Sequence, residues 1–134
     1  MSGAVYHLLA EDAELANLGV ETVETDYSLE TRPNDGIFLI IRWGAQTIRN
    51  AIRHGPLTLS IWAHQPEEYG SDYTQINKIL NRCQKLLENM EQVVGGDGIR
   101  VVEAAFQGYG PCLYDPGFKT ICRSTTYRIL LGMV

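Results

Sequence analysis

The chain has 134 residues, 45% of them apolar, and a formal net charge of -5. That length and apolar share suit one globular domain over residues 1–134 with a real core, and they exclude a disordered chain. The acidic balance argues against a dedicated nucleic-acid binder, while Cys83, Cys112 and Cys122 are too few and too irregularly spaced for a disulfide framework or a zinc site.

The N-terminal stretch MSGAVYHLLAEDAEL lacks a basic leader and a long apolar run, so neither a signal peptide nor a membrane span is expected. A soluble protein made in a reducing cytoplasm is the expectation. Ser2 can cap a first helix with Val5, Leu8 and Leu9 on one face. Asp12 starts a further short turn, and Gly19 ends the helical region. Val23 to Tyr27 alternate apolar and polar, as a partly exposed strand would. TRPNDG, from Thr31 to Gly36, has the composition of a turn. IFLIIRW, from Ile37 to Trp43, reads as a central strand covered on both faces.

Gly44 to Pro56 forms a loop longer than a tight hairpin needs, and it carries Arg49, Arg53 and His54. LTLSIWAH then alternates, with Leu57, Leu59, Ile61 and Ala63 facing one way and Thr58, Ser60, Trp62 and His64 the other. The two strands around that loop pair most simply as antiparallel neighbours. After a polar corner, Ser71 or Asp72 caps the strongest helix, in which Tyr73, Ile76, Leu80, Cys83, Leu87 and Met90 form an apolar stripe. The glycines of GGDG, Gly95 to Gly98, stop it. IRVVEAAFQG is a further strand with Val102, Ala104 and Phe106 inward. Tyr109 to Lys119 is a Gly/Pro-punctuated loop with aromatics. Thr120 to Leu131 is a long strand with Ile121, Tyr127, Ile129 and Leu131 on one face. The order predicts an α+β fold: one mostly antiparallel sheet of about four to five strands, with two main helices on one face.

Chemistry is hard to place on this pattern. His64, Glu67, Glu68 and Asp72 cluster at the corner, as a general base or metal site would require. Their spacing matches no metal motif, and a polar connector with Asp72 at a helix N-terminus is the better explanation of them. His7 has no partner in its neighbourhood. No GxSxG occurs, and VVGGDGIR lacks both the Lys-Ser/Thr of a phosphate-binding loop and the strand that precedes a dinucleotide fingerprint. No catalytic residue, metal or cofactor is therefore expected. Charge is segregated instead. Residues 1–35 hold eight acids and one base, whereas residues 36–55 hold Arg42, Arg49 and Arg53 and no acid. Such a split fits two solvated faces, or a complementary contact between copies of the chain.

Three stretches carry a family resemblance. They are LTLSIWAH leading through a polar corner into DYTQINKILNRCQKLL, the strand IFLIIRW before it, and the ending YDPGFKTICRSTTYRILL. In this pattern the chain resembles the tail-terminator (tail-completion) proteins of long-tailed bacteriophages. The resemblance implies a virion protein that forms a hexameric ring on the tail tube. Such a ring ends tube growth and gives the head-completion or neck proteins a surface. It implies no enzymatic activity, no cofactor and no membrane; DNA passes through the ring without sequence-specific binding. The partners would be further copies of the chain, the tail-tube protein and a neck protein, and the place would be the virion, after synthesis in the host bacterial cytoplasm. For such a subunit the expected contact residues are Arg49, Arg53 and His54 on one loop and Tyr109, Tyr114 and Phe118 on the other, with His64, Glu67 and Glu68 as surface. The alternatives are another head–tail connector, such as a head-closure or stopper protein, a small hydrolase using His64 with Glu67 or Glu68, and a small cellular interaction domain.

Overall fold

Two short helices open the chain, α1 (Ser2–Ala10) and α2 (Ala13–Asn17), separated at Asp12. Asp12 leaves the helical region with φ -76 and ψ 118, and its Oδ2 accepts from the Leu15 N–H. One of the open donors at the start of α2 is thereby satisfied. Gly19, with φ 103, turns the chain out of α2 at a position where a side chain would be strained. Strand β1 (Val20–Glu24) starts immediately after it. The strand thus lies earlier than the expected Val23–Tyr27, because Gly19 leads straight into pairing with β2 (Ile37–Trp43).

Then follow β3 (Leu57–Pro66), a 3-10 turn (Glu67–Tyr69), and α3 (Thr74–Glu88). The chain ends through β4 (Val93–Val94), β5 (Ile99–Tyr109), β6 (Leu113–Asp115) and β7 (Thr120–Met133). These elements come from a computed structural model that describes residues 2–25, 35–44, 57–89, 93–94 and 99–133. The expected loop over 45–56, Tyr27, the turn at 31–34, Met90 and the glycines at 95–98 lie outside the described residues. So do the side chains of Ser2, Val102 and Leu131.

The strands form one sheet in the order β1-β2-β3-β7-β5-β4, with β6 also paired to β7. The β1–β2 pair is parallel, and the other described pairs are antiparallel. The α+β class, the mostly antiparallel sheet and the helices on one face agree with the sequence reading. Among the described residues the sheet has seven strands, five of them five residues or longer, in line with the expected four to five. The extra ones, β4 and β6, are two and three residues long. Strands that short have no room for a period-two pattern.

Alternation along β3 decides which face is which. Leu57, Leu59, Ile61 and Ala63 are buried and belong to the core. Their partners on β7, Ile129 and Tyr127 among them, share that face. Against it packs the stripe of α3: Ile76, Ile79, Leu80, Cys83 and Leu87, all at most 1% exposed. Helices α1 and α2 add Val5, Leu9 and Leu15 to the same core. Arg82 ties the helical layer together. It grips Asp12 with two bonds, Nε to Oδ2 at 3.0 Å and Nη2 to Oδ1 at 2.8 Å, and reaches Glu14 Oε2 at 3.0 Å. Gln75 of α3 donates to the Leu18 carbonyl at the end of α2. Strand β2 is buried from Ile37 to Ile41, on both faces, as its unbroken apolar run predicts.

Candidate functional site

The face of the sheet away from the helices carries the even residues of β3. Register places Phe38, His64, Cys122 and Leu113 in one row across β2, β3, β7 and β6. The next row holds Ile40, Trp62 and Ser124, followed by Arg42, Ser60 and Thr126, and then Thr58, Arg128 and Ala105. The face therefore changes along its length from aromatic to hydroxyl and arginine. Its aromatic end forms a groove of about 350 Å³, floored by Ile40, Trp62 and His64 and walled by Leu113, Tyr114, Pro116 and Phe118.

The wall is the turn of the β6–β7 hairpin, and local chemistry makes it rigid. Asp115 Oδ1 accepts from the Gly117 N–H at 2.8 Å and the Phe118 N–H at 3.1 Å, the pattern of an Asx turn. Lys119 takes the left-handed conformation, φ 55, and its carbonyl accepts from the Glu67 N–H. Phe118 folds back over the sheet and meets both Phe38 and His64 edge-on, with centroids 5.6 and 5.4 Å away. Phe38 and His64 stack in parallel at 4.8 Å. Tyr73, at the entrance of α3, donates to the Leu113 carbonyl at 2.6 Å and holds β6 in place.

His64 is the main departure from the sequence reading, which put it on the surface. It is 4% exposed, and its Nδ1 lies 2.8 Å from Thr120 Oγ1. Burial drives its pKa down to about 4, with Asp115 opposing and Arg42 assisting the fall. The cause is tertiary: Phe118, distant in sequence, covers the ring. Glu67 and Glu68 are exposed as expected. The Glu67 carboxylate accepts from Tyr114 OH at 2.6 Å, and neither glutamate lines the groove with His64. Asp72 does not fill the formal N-cap of α3, where Tyr73 sits. It acts one residue earlier, its Oδ1 accepting from the Thr74 N–H and hydroxyl.

The other expected contact residues divide. Arg49, Arg53 and His54 lie outside the described residues. Tyr114 is 51% exposed on the groove rim, and Tyr109 is 39% exposed on the helix side of the sheet. Tyr109 packs edge-on against Phe106 and under the Arg123 guanidinium, 4.7 Å from its ring centre. Phe118 is half-buried as the inner wall of the groove. Sequence reasoning missed Arg123, which also binds the Gly110 carbonyl and Asn77 Oδ1, both at 2.8 Å, joining β7 to the β5–β6 bend and to α3. An arginine on the inward face of a strand was the available signal. It also missed Arg42 and Trp62 as neighbours in one groove.

The groove offers apolar and aromatic surface beside an arginine, an arrangement suited to holding another molecule's side chains. Burial pushes the Cys83 thiol up to about 12 and the Cys122 thiol up to about 11, so neither is a ready nucleophile. Among the described residues, no three His, Cys, Asp or Glu side chains come together as a metal site, and no helix is long and apolar enough to cross a membrane.

No protein-family model matches the chain, and no curated protein matches it in sequence. Among solved structures, it shares its fold with a chain from the virion of a native gene transfer agent particle. The TM-score is 0.70 at 16% identity, over 98% of this chain and 93% of that one.

Proposed function

We propose that this chain is a virion structural protein acting as a tail terminator: a ring of copies that caps the tail tube, ends its growth and presents a surface to the neck. The observation that carries this reading is the shared fold over nearly the full length of both chains with a component of a virion particle. Coverage of that kind favours a protein with the same architecture throughout over a common module fused to a different partner. The order of parts that resembles the tail-terminator family supports the finer assignment. The burial of His64 and the engagement of Glu67 by Tyr114 weigh against a hydrolase built on those residues. In this role Arg49, Arg53 and His54 face a neighbouring copy or the tube, and Tyr109 and Tyr114 lie at contacts between copies. The particles contain further copies of the chain, tail-tube protein and neck protein as its partners.

Electron microscopy of particles assembled without the chain tests the role. Overlong tails of irregular length are the expected result. Tails of normal length, or tailless heads that leak DNA, would overturn the terminator reading; the second outcome would assign the chain to head completion.

A further inference from the structure

Two surfaces of this subunit complement one another and cannot meet within it. One is the corner made by α1, α2 and β1, where Glu11, Glu14 and Glu21 are exposed. It lies at the β1 edge of the sheet, on the helix side. The other is the face away from the helices. There Arg42 and Arg128 are exposed, and among the described residues neither forms an ion pair. The described acids of this face lie at its margins: Glu103 near Arg128, Asp115 in the groove wall, and Glu24 beside Ile40 at the β1 edge. Between the arginines lie short hydroxyl side chains, Thr58, Ser60 and Thr126, which leave room for an approaching surface. Beside Arg42, the groove presents half-exposed Trp62 and 41% exposed Leu113. Its wall is fixed by Asp115, Tyr73 and the His64–Thr120 bond, so little ordering is lost on binding.

We propose that this face, from the Trp62 groove to Arg128, receives the acidic α1–α2–β1 corner of a second copy of the chain. The contact rests on reading the chain as a protein that assembles with itself. Trp62 and Leu113 supply the apolar centre, and Arg42 and Arg128 supply the charged rim that orients the neighbour. Because the two surfaces lie on opposite sides of the sheet, the contact is heterologous. Each copy keeps one surface free for the next, as a closed ring requires.

Charge reversal tests the contact on the full chain, by sedimentation across a concentration series. R42E/R128E and E11R/E21R should each associate roughly tenfold more weakly than the parent chain while keeping its circular dichroism. An equal mixture of the two should recover association, since each reversed face then meets a reversed corner. A parent chain that stays monomeric up to its solubility limit overturns the proposal, as do reversals that leave association unchanged or a mixture that recovers nothing. Cross-links joining other surfaces would also overturn it and would leave the groove to a different virion protein. Failure here is separable from failure of the terminator role, because normal tail lengths without the chain would sink that role and leave this contact standing.

Discussion

His64 links its burial to the acid sensitivity of the whole domain. Its pKa falls from an ordinary 6.5 to about 4 on folding. The unfolded chain therefore binds a proton between those values that the folded chain refuses. The stabilising contribution of the neutral ring is intact above pH 6.5, and it is lost as pH falls through that window toward 4. A shift of this size corresponds to roughly 3 kcal/mol. Urea midpoints measured from pH 7 to 4 should decline, and His64→Gln, which keeps a partner for Thr120, should flatten that decline. Equal slopes in the two proteins would show that His64 is not the titrating group. Asp12 makes a different contribution, as cap and ion-pair partner at once. The Arg82 guanidinium, bonded to both of its oxygens, holds its carboxyl below the usual range. For an acid lowered in this way, the contribution persists above the unfolded pKa near 4 and disappears as pH falls through the folded value. Asp12→Ala should cost about 1–2 kcal/mol, the loss of a cap plus a partly exposed ion pair. A change within error would mean that α2 is held by Leu15 burial alone.

Helix α3 has a stability set by its seat on the sheet, for in isolation a helix of this length is marginal in water. Leu80 is fully buried in that seat. Leu80→Ala should lower unfolding stability by roughly 2–5 kcal/mol with an unchanged denaturant slope, whereas exposed Lys78→Ala should stay within about 0.5 kcal/mol. Equal effects at the two sites would contradict the packing described. This helix was readable in advance because Ile76, Leu80, Cys83 and Leu87 recur at steps of four, three and four, with Ile79 widening the stripe. The strands β2, β3 and β7 were readable for a similar reason, one from its unbroken apolar run and the others from alternation. The β6–β7 hairpin was not. Its strand is three residues long between Pro111 and Pro116, and backbone pairing to β7 supplies what composition does not announce.

Across the molecule, the helical layer and the bare sheet face divide the labour. The first provides the core; the second is left as the place where another molecule can sit. Charge segregation along the chain hinted at two contact surfaces. It could not say that α1, α2 and β1 gather their acids at one sheet edge while Arg42 and Arg128 come onto one face of the sheet from β2 and β7, with β3 between them. The candidate groove was only fragmentarily legible. Tyr114 and Phe118 were singled out for their loop, but Trp62 and Ile40 passed as ordinary strand residues, and His64 was assigned to the surface.

By itself the sequence determined the α+β class, the stripe of α3, the two faces of β3, and the absence of a recognisable catalytic motif. Those features depend on local periodicity and residue type, which each segment carries alone. Only the tertiary structure decided that His64 is buried, that Phe118 lines a groove, and that the sheet keeps one face without a helix among the described residues. Those outcomes depend on strand order and register, which bring residues such as Phe38, His64 and Leu113 into one row from distant parts of the chain.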